Sequence, residues 1–302
     1  MTPLPPDAIR ARKRPLSILY VYLAELVWAL VVATPVHAWA GRAWGNHPDG
    51  DAVLWLPGGR QLLVWLGQDD AAISVVSRTS IVLLVAGVIA MQVPLGALLA
   101  SLAFSRGDED APRLSPRWQA AMRVGVTAFM PLAGLLALAS VVGVLLFLAG
   151  GIASSAADHA LSTSLGDARS FVVRLVVLAL FAVLGALIGV IVDLARAAVA
   201  RDIGIGIAAG TTTAGWTTML RGIRMAFGVA RRHLWSAALA AVLIALGMAA
   251  SQALGGRGGG SLILLWLAHQ AIVLLRVALR ASWLARALAL VTPAPPPPDP
   301  SA

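Results

Sequence analysis

Six long apolar runs divide this 302-residue chain, and each of them is long enough to cross a bilayer as a helix. A membrane-spanning helix needs about 20 mainly apolar residues, because the hydrocarbon core of a bilayer is about 30 Å thick. The runs cover roughly residues 16–39, 80–104, 124–152, 171–194, 234–253 and 261–288. The pattern predicts an all-α, polytopic transmembrane helix bundle with six spans.

The composition agrees with this prediction. Hydrophobic residues make up 59% of the chain and charged residues only 12%, whereas about 25% of the residues in a soluble domain are charged. A soluble core of this size cannot hide so much apolar surface, because the outside of the fold must remain polar. A water-soluble enzyme and a disordered chain are therefore excluded, and the absence of cysteine excludes disulfides and thiolate metal sites.

The basic residues alternate between the two ends of the predicted spans. The chain carries 23 Lys and Arg against 14 acidic residues, and most of the arginines fall before the first run and in every second connection. Because cytoplasmic loops are rich in Lys and Arg, we expect a bacterial cytoplasmic membrane protein with both termini in the cytoplasm. Short basic clusters beside apolar runs favour anionic lipid as a partner and argue against nucleic acid.

The same runs define the expected domain organisation. Residues 1–15 are expected to form a basic cytoplasmic segment, residues 16–289 the transmembrane domain, and residues 290–302 a Pro-rich disordered tail. The first run has some features of a cleaved signal peptide. Its length and the presence of Glu25 favour a retained helix.

One or two amphipathic helices are expected to lie in the membrane interface. Within residues 213–230, apolar side chains recur at helical spacing at Trp216, Leu220, Ile223 and Phe227. The arginines around this helix are predicted to face lipid, and they are Arg221, Arg224, Arg231 and Arg232. A shorter segment, residues 55–65, gives a weaker signal of the same kind.

A few charged residues fall inside or at the ends of the predicted spans, where an ionisable group needs a partner or a cavity. We predict an intramembrane charge network of Glu25, Asp193, Arg196, Arg276 and Arg280. Arg276 and Arg280 share a helix face, and both are placed to approach Glu25 if the first and sixth spans are neighbours. Asp193 has two candidate partners, Arg196 and Arg280. We favour a structural network over a proton relay or an anion site.

Prolines and glycines within the runs predict local features of the bundle. Pro94 and Pro131 are expected to kink their helices, because proline removes a backbone donor. Gly185 and Gly189 form a G-x-x-x-G pattern, for which we favour close packing inside the bundle over dimerisation.

The sequence offers little support for catalysis. Gly204, Gly206 and Ala209 match G-x-G-x-x-A without the strand and helix that this motif requires. The cluster around Asp158 and His159 is interpreted as a polar loop, and the five histidines show no metal-ligand spacing. We therefore expect no catalytic residue, no metal and no cofactor.

Two short motifs resemble a known group of proteins. The stretch Val192-Asp193-Leu194-Ala195-Arg196-Ala197 precedes the basic segment that ends at Arg231-Arg232-His233, and Pro94-Leu95-Gly96-Ala97-Leu98-Leu99 ends the second run. With the Arg276 and Arg280 pair, these motifs resemble bacterial six-helix membrane proteins. Those proteins are distantly similar to the membrane domain attached to some glycerophosphodiester phosphodiesterases. The resemblance implies a helical membrane domain without the phosphodiesterase part.

Together these features favour a non-enzymatic membrane protein that acts as an accessory or scaffold subunit. Its expected partners are anionic lipid and a membrane-protein subunit. The alternative is a transporter or permease component that uses Glu25 with Arg276 and Arg280 as a coupling or substrate site. A lipid-modifying enzyme would require acids, His or Ser converging at one membrane depth, and the sequence shows no such set.

Overall fold

The computed structural model describes residues 4–44, 70–104, 115–211, 215–255 and 262–293, and these residues fold almost entirely into helices. Two short 3-10 turns, Pro6–Ala8 and Ala11–Lys13, come first. The helices are α1 (Pro15–Trp44), α2 (Asp70–Ala90), α3 (Gln92–Ala103), α4 (Ser115–Thr127), α5 (Phe129–Leu165), α6 (Asp167–Ala208), α7 (Trp216–Gly255) and α8 (Leu262–Val291). The predicted segment 55–65 and most of the Pro-rich tail lie outside the described residues.

Five apolar segments of these helices are long enough to cross a membrane: Pro15–Arg42, Ala72–Ala103, Phe129–Leu161, Arg169–Ala208 and Ile263–Val291. This confirms the all-α class and the membrane-length apolar helices. The fifth predicted run lies in α7, which is not among these five within the described residues. Six spans therefore remain a prediction.

The chain divides into two compact units, one formed by residues 22–91 and the other by residues 1–21 with 92–302. In the smaller unit, Trp28 of α1 packs directly against Gly87 of α2. The Trp28 indole N–H donates a hydrogen bond of 3.0 Å to the carbonyl of Leu83. Glycine is needed at position 87, because a Cβ there would collide with the indole.

The larger unit contains helices much longer than a bilayer is thick. Helix α6 has 42 residues and α7 has 40, which at 1.5 Å per residue gives about 60 Å each. The two helices pack against each other. Because the hydrocarbon core is only about 30 Å thick, neither helix can lie wholly within it while crossing it.

Burial divides the larger unit into two ends. In α6, large apolar side chains from Phe171 to Leu187 are exposed, whereas residues 193–200 are buried. We call the exposed part the apolar end; it consists of residues 137–152 of α5, 171–189 of α6 and 263–275 of α8, with the described side chains of residues 235–246 of α7. We call the buried part the packed end; it consists of residues 92–104, 121–135, 190–204, 219–233 and 277–291.

The first residues of the chain dock on the packed end. Arg14 donates hydrogen bonds from Nε to the Ser101 carbonyl at 2.6 Å and from Nη2 to the Phe104 carbonyl at 3.0 Å. The Leu4 amide donates to the Ala103 carbonyl at 2.9 Å. Arg14 thus supplies a positive charge and donors to the carbonyls at the end of α3, which lack partners within the helix.

The two prolines expected to kink their helices, Pro94 and Pro131, lie close to interruptions of the helices. The α2 and α3 helices are separated at Met91, three residues before Pro94, and α4 and α5 at Ala128, three residues before Pro131. Each break lies where proline removes a donor and crowds the carbonyl four residues earlier. The interruptions lie beside a close crossing, because a Cβ on Gly125 would lie 2.5 Å from the Val93 carbonyl oxygen.

The predicted interfacial helix is not a separate element. Residues 216–230 continue without a break into the fifth apolar run, and together they form α7. One face of this segment is buried through Met219, Gly222 and Ala226, and Gly222 lies against Ala195 and Val199 of α6. Tertiary packing on α6 therefore holds the segment in line with the apolar run.

The G-x-x-x-G pattern does not mediate packing within the described residues. A Cβ added to Gly185 or Gly189 would meet open space, since no other atom of the described chain lies within 4 Å. The expectation of close internal packing at this motif is therefore wrong. The close approaches occur elsewhere, at Gly125 and Gly222.

Candidate functional site

A buried carboxylate lies where the apolar end of α6 meets the packed end. The Asp193 Oδ1 accepts a hydrogen bond of 3.0 Å from Nη1 of Arg196, one turn along the same helix. It also accepts one of 3.5 Å from Nη2 of Arg280 on α8. The side chains of Asp193 and Arg196 are only 10% and 9% exposed, whereas that of Arg280 is 47% exposed.

In this arrangement, charged side chains of α6 and α8 pair with a single carboxylate. Both arginines that the sequence offers as rival partners of Asp193 reach the same carboxylate oxygen. Hydrogen bonds between a carboxylate and two guanidinium groups are charge-assisted and therefore stronger than those between neutral groups. The cluster links α6 to α8.

An aromatic pair flanks the cluster. His233 of α7 is fully buried, and its ring meets that of Trp283 of α8 edge to face, with the centroids 5.6 Å apart. Burial is the main cause that lowers the pKa of His233, and Arg286 adds to the lowering while Asp193 opposes it. The neutral imidazole is therefore favoured, and it packs as part of the core of the packed end.

A second acidic residue connects α6 with α7 further from the apolar end. The carboxylate of Asp202 lies 3.7 Å from Nη1 of Arg201 and 3.8 Å from Nη1 of Arg221. Arg221 is one of the four arginines predicted to face lipid, and its side chain is 69% exposed. It therefore combines an ion pair with an exposed position.

All four predicted lipid-facing arginines of α7, namely Arg221, Arg224, Arg231 and Arg232, are exposed. They lie on the side of the helix opposite to Met219, Gly222, Ala226 and His233, which are buried. Trp216, Leu220 and Phe227 form an exposed apolar stripe next to these arginines. The outward face of α7 is thus half apolar and half basic.

The remaining members of the predicted network are not brought into the Asp193 cluster by the contacts described above. Arg276 is exposed on α8, one turn before Arg280. Glu25 lies on α1 and belongs to the smaller compact unit. The pairing of Glu25 with Arg276 and Arg280 stays a prediction.

Sequence reasoning missed several residues of this region. Arg14 was expected only to be part of a basic segment, although its position next to the start of α1 and its charge suit a helix-capping role. His233 and Trp283 were not expected to meet, because they are far apart in sequence. Asp202 gave no signal beyond being an acid beside Arg201.

The residues of the apparent catalytic motifs have structural roles in the fold. Gly204 lies within α6 and packs directly against the ring of Phe104. Asp158 accepts a hydrogen bond of 2.6 Å from the Ser170 hydroxyl and pairs with Arg174 at 3.5 Å, so it joins α5 to α6. In the part of the chain that the structure describes, no group of three or more His, Cys, Asp or Glu is arranged to hold a metal.

An open groove runs between α4 and α6 at the packed end. It is lined by Gln119, Met122, Arg123, Val126, Thr127 and Ile207. The lining is mainly apolar and contains one cation, so the groove carries no set of groups suited to acid or base catalysis.

Comparison with known proteins gives no relatives: no family model, no curated protein and no solved structure matches this chain. The resemblance to the membrane domain of some glycerophosphodiester phosphodiesterases therefore stays a prediction.

Proposed function

We propose that the chain is a non-enzymatic integral membrane protein of the bacterial cytoplasmic membrane. It has six spans and both termini in the cytoplasm, and it acts as an accessory or scaffold subunit. The apolar end lies in the bilayer and the packed end projects into the cytoplasm. One observation carries the proposal: the same long helices expose large apolar side chains along one part and bury them along the other.

The charges support this placement. The packed end contains nine arginines and the apolar end only one, Arg174, and arginine-rich segments face the cytoplasm. Exposed leucine, valine and phenylalanine side chains at the apolar end carry no penalty in lipid, which is as apolar as they are. The same surface in water would favour aggregation.

The charge cluster supports a structural role over transport. Asp193 is held on one oxygen by two arginines, one of which is itself nine-tenths buried. Removing the carboxylate of such a cluster leaves a buried cation without its counter-charge, and this is strongly destabilising. A fixed cluster of this kind positions α6 and α8 and needs no bound substrate.

Anionic lipid is the proposed partner of the arginines at the membrane surface. Arg231 and Arg232 are exposed immediately before the apolar run of α7, at the level where lipid phosphates are expected. Each basic residue near an anionic surface contributes about 1 kcal/mol of attraction. Native mass spectrometry of Arg231→Gln/Arg232→Gln should show less retained phosphatidylglycerol than the parent protein, whereas Arg169→Gln at the opposite end should not.

The orientation can be tested with single cysteines, because the chain has none of its own. Ser155 and Thr217 are both exposed, and they lie near opposite ends of the larger unit. A membrane-impermeant maleimide should label Ser155→Cys in intact spheroplasts and Thr217→Cys only after permeabilisation. The reverse pattern would contradict the proposed orientation, and labelling of both in intact spheroplasts would contradict a membrane-spanning bundle.

A further inference from the structure

Two exposed arginines on neighbouring helices lie next to the contact between His233 and Trp283. Arg232 of α7 is the residue before His233, and Arg286 of α8 follows Trp283 by just under one turn. The centroids of the two rings are 5.6 Å apart. Burial is the main cause that lowers the pKa of His233, and the charge of Arg286 adds to this lowering. Arg286 therefore lies close to α7, although it belongs to α8.

Helix periodicity places both side chains near the interface between α7 and α8. A Cβ added to Gly247 of α7 would lie 3.7 Å from Cγ2 of Ile272 of α8, so these residues mark where the two helices face each other. At about 100° per residue, Arg232 lies about 60° from the direction of Gly247. Arg286 lies about 40° from the direction of Ile272. Because both arginines are exposed, they lie at the edge of this interface, where a ligand can reach them.

The two arginines also lie at the same depth in the proposed membrane. The apolar run of α7 begins at Leu234, so Arg232 lies about 3 Å outside it along the helix. The apolar segment of α8 begins at Ile263, and Arg286 follows this residue by about 35 Å. A hydrocarbon core about 30 Å thick therefore ends a few ångströms before Arg286. Both helices give the same boundary, and the ring contact that joins them lies at this level.

Neither arginine has a counter-charge within the described part of the chain. The two carboxylates of the packed end, Asp193 and Asp202, pair with other arginines. A bound anion would offset the repulsion between two neighbouring guanidinium groups. A planar guanidinium binds phosphate through two parallel hydrogen bonds. The phosphates of lipids lie in the headgroup layer just outside the hydrocarbon core, which is the depth of these arginines.

We propose that Arg232 and Arg286 form a clamp for the phosphate of an anionic lipid at the edge of the α7–α8 interface. Basic pockets between membrane helices on the cytoplasmic side bind the headgroups of such lipids. The inference rests on the proposed function and deepens it, because it assigns one lipid to a defined site. A diffuse attraction depends on charge alone, whereas a clamp also depends on the planar fork of arginine, which lysine lacks.

The test uses the full-length protein in mild detergent, titrated with phosphatidylglycerol. Native mass spectrometry gives the Kd of the first bound lipid. We expect Arg232→Lys and Arg286→Lys each to weaken its binding about fivefold or more, because lysine keeps the charge and loses the paired hydrogen bonds. Both residues are exposed, and melting temperatures equal to that of the parent protein verify that the fold is intact.

The matched control is Arg231→Lys, which alters a neighbouring exposed arginine on the same helix. Arg231 lies about 160° from the direction of Gly247, on the side of α7 that faces away from α8. It contributes to lipid binding through its charge alone, and lysine retains this charge. Binding by this variant should therefore stay within about twofold of the parent protein.

Three results would overturn the clamp. The first is parental binding by Arg232→Lys or Arg286→Lys, and the second is an equal loss in Arg231→Lys. The third is displacement of the lipid by an equal concentration of inorganic phosphate, which would assign the site to free phosphate. Each can occur while the parent protein retains more phosphatidylglycerol than phosphatidylcholine, in which case the proposed function survives. Equal retention of these two lipids by the parent protein would instead contradict the proposed anionic-lipid partner itself.

Discussion

The two ends of α6 both carry large apolar side chains, yet these side chains are exposed at one end and buried at the other. Leu180 at the apolar end is 58% exposed, and Leu194 at the packed end, fourteen positions later, is completely buried. What differs is the neighbouring sequence. Around Leu194, small residues such as Ala195 and Ala198 allow α7 and α8 to approach, and Asp193 and Arg196 satisfy each other. The hydropathy of a single residue therefore does not determine whether that residue is buried.

The largest effect is expected where backbones touch at the packed end. Gly125→Val places a side chain against the Val93 carbonyl, which is backbone and cannot move aside. We expect a loss of about 5 kcal/mol or more, so that little folded protein accumulates. Abundance in the membrane and the melting temperature in mild detergent measure this effect.

The control for this prediction is Gly143→Val on α5, where an added Cβ meets open space. It should leave abundance unchanged. Equal loss of protein in both variants would mean that the crossing at Gly125 is not a special contact.

The next largest effect concerns the buried charges. Asp193→Asn leaves the guanidinium of Arg196 buried without its counter-charge, and Nε of Arg196 has no hydrogen-bond partner in the described structure. We expect a loss of about 4 kcal/mol. Asp158→Asn, at the exposed ion pair with Arg174, should cost less than about 1 kcal/mol. An Asp193→Asn protein as stable as the parent would refute a structural cluster.

A matched pair of leucines measures the difference between the two ends directly. Leu194→Ala creates a cavity in the packed end and should cost about 3 kcal/mol. Leu180→Ala removes a side chain that is exposed in the folded protein, so we expect a loss below about 1 kcal/mol. Reversible unfolding in mixed detergent micelles gives both values. Equal losses would mean that protein covers the two positions to the same extent.

The smallest effect is a pH dependence at the packed end. The folded-state pKa of His233 lies below its ordinary value of 6.5, mainly because the ring is buried. The unfolded chain therefore binds more protons than the folded one, and stability that is full above about pH 7 falls as the pH drops below about 6.5. The melting temperature measured between pH 8 and pH 5 tests this.

His233→Phe keeps an aromatic ring in the core and should flatten the pH profile of the melting temperature. His159→Gln, at an exposed position of α5, should retain the profile of the parent protein. An unchanged slope in His233→Phe would assign the pH dependence to another group.

Part of this fold could be predicted from the sequence. The apolar runs predicted an all-helical chain with membrane-length helices, because length and hydropathy determine which segments can cross lipid. The continuity of α7 could not be predicted in this way. Trp216, Leu220, Ile223 and Phe227 recur at helical spacing in an interfacial helix and in a helix that leaves the membrane, and only packing of Gly222 on α6 decides between them.

The candidate site shows the same limit. The spacing of Asp193 and Arg196 indicated a local pair, since residues three apart on a helix are neighbours. The contact of Asp193 with Arg280 and that of His233 with Trp283 join different helices, and helix periodicity carries no information about which helices are adjacent. Arg14 was predicted only as part of a basic segment, and the sequence did not indicate its hydrogen bonds to the carbonyls of Ser101 and Phe104.

Helix α7 is proposed to leave the bilayer partway along its length. Nitroxide spin labels attached to single cysteines at Leu220, Phe227 and Leu239, in liposomes of anionic lipid, test it most directly. We predict that Leu239 contacts oxygen in the hydrocarbon, Phe227 lies near the surface, and Leu220 is accessible only to the water-soluble relaxation agent. Leu220 at the same depth as Leu239, or at the depth of the headgroups, would contradict the account.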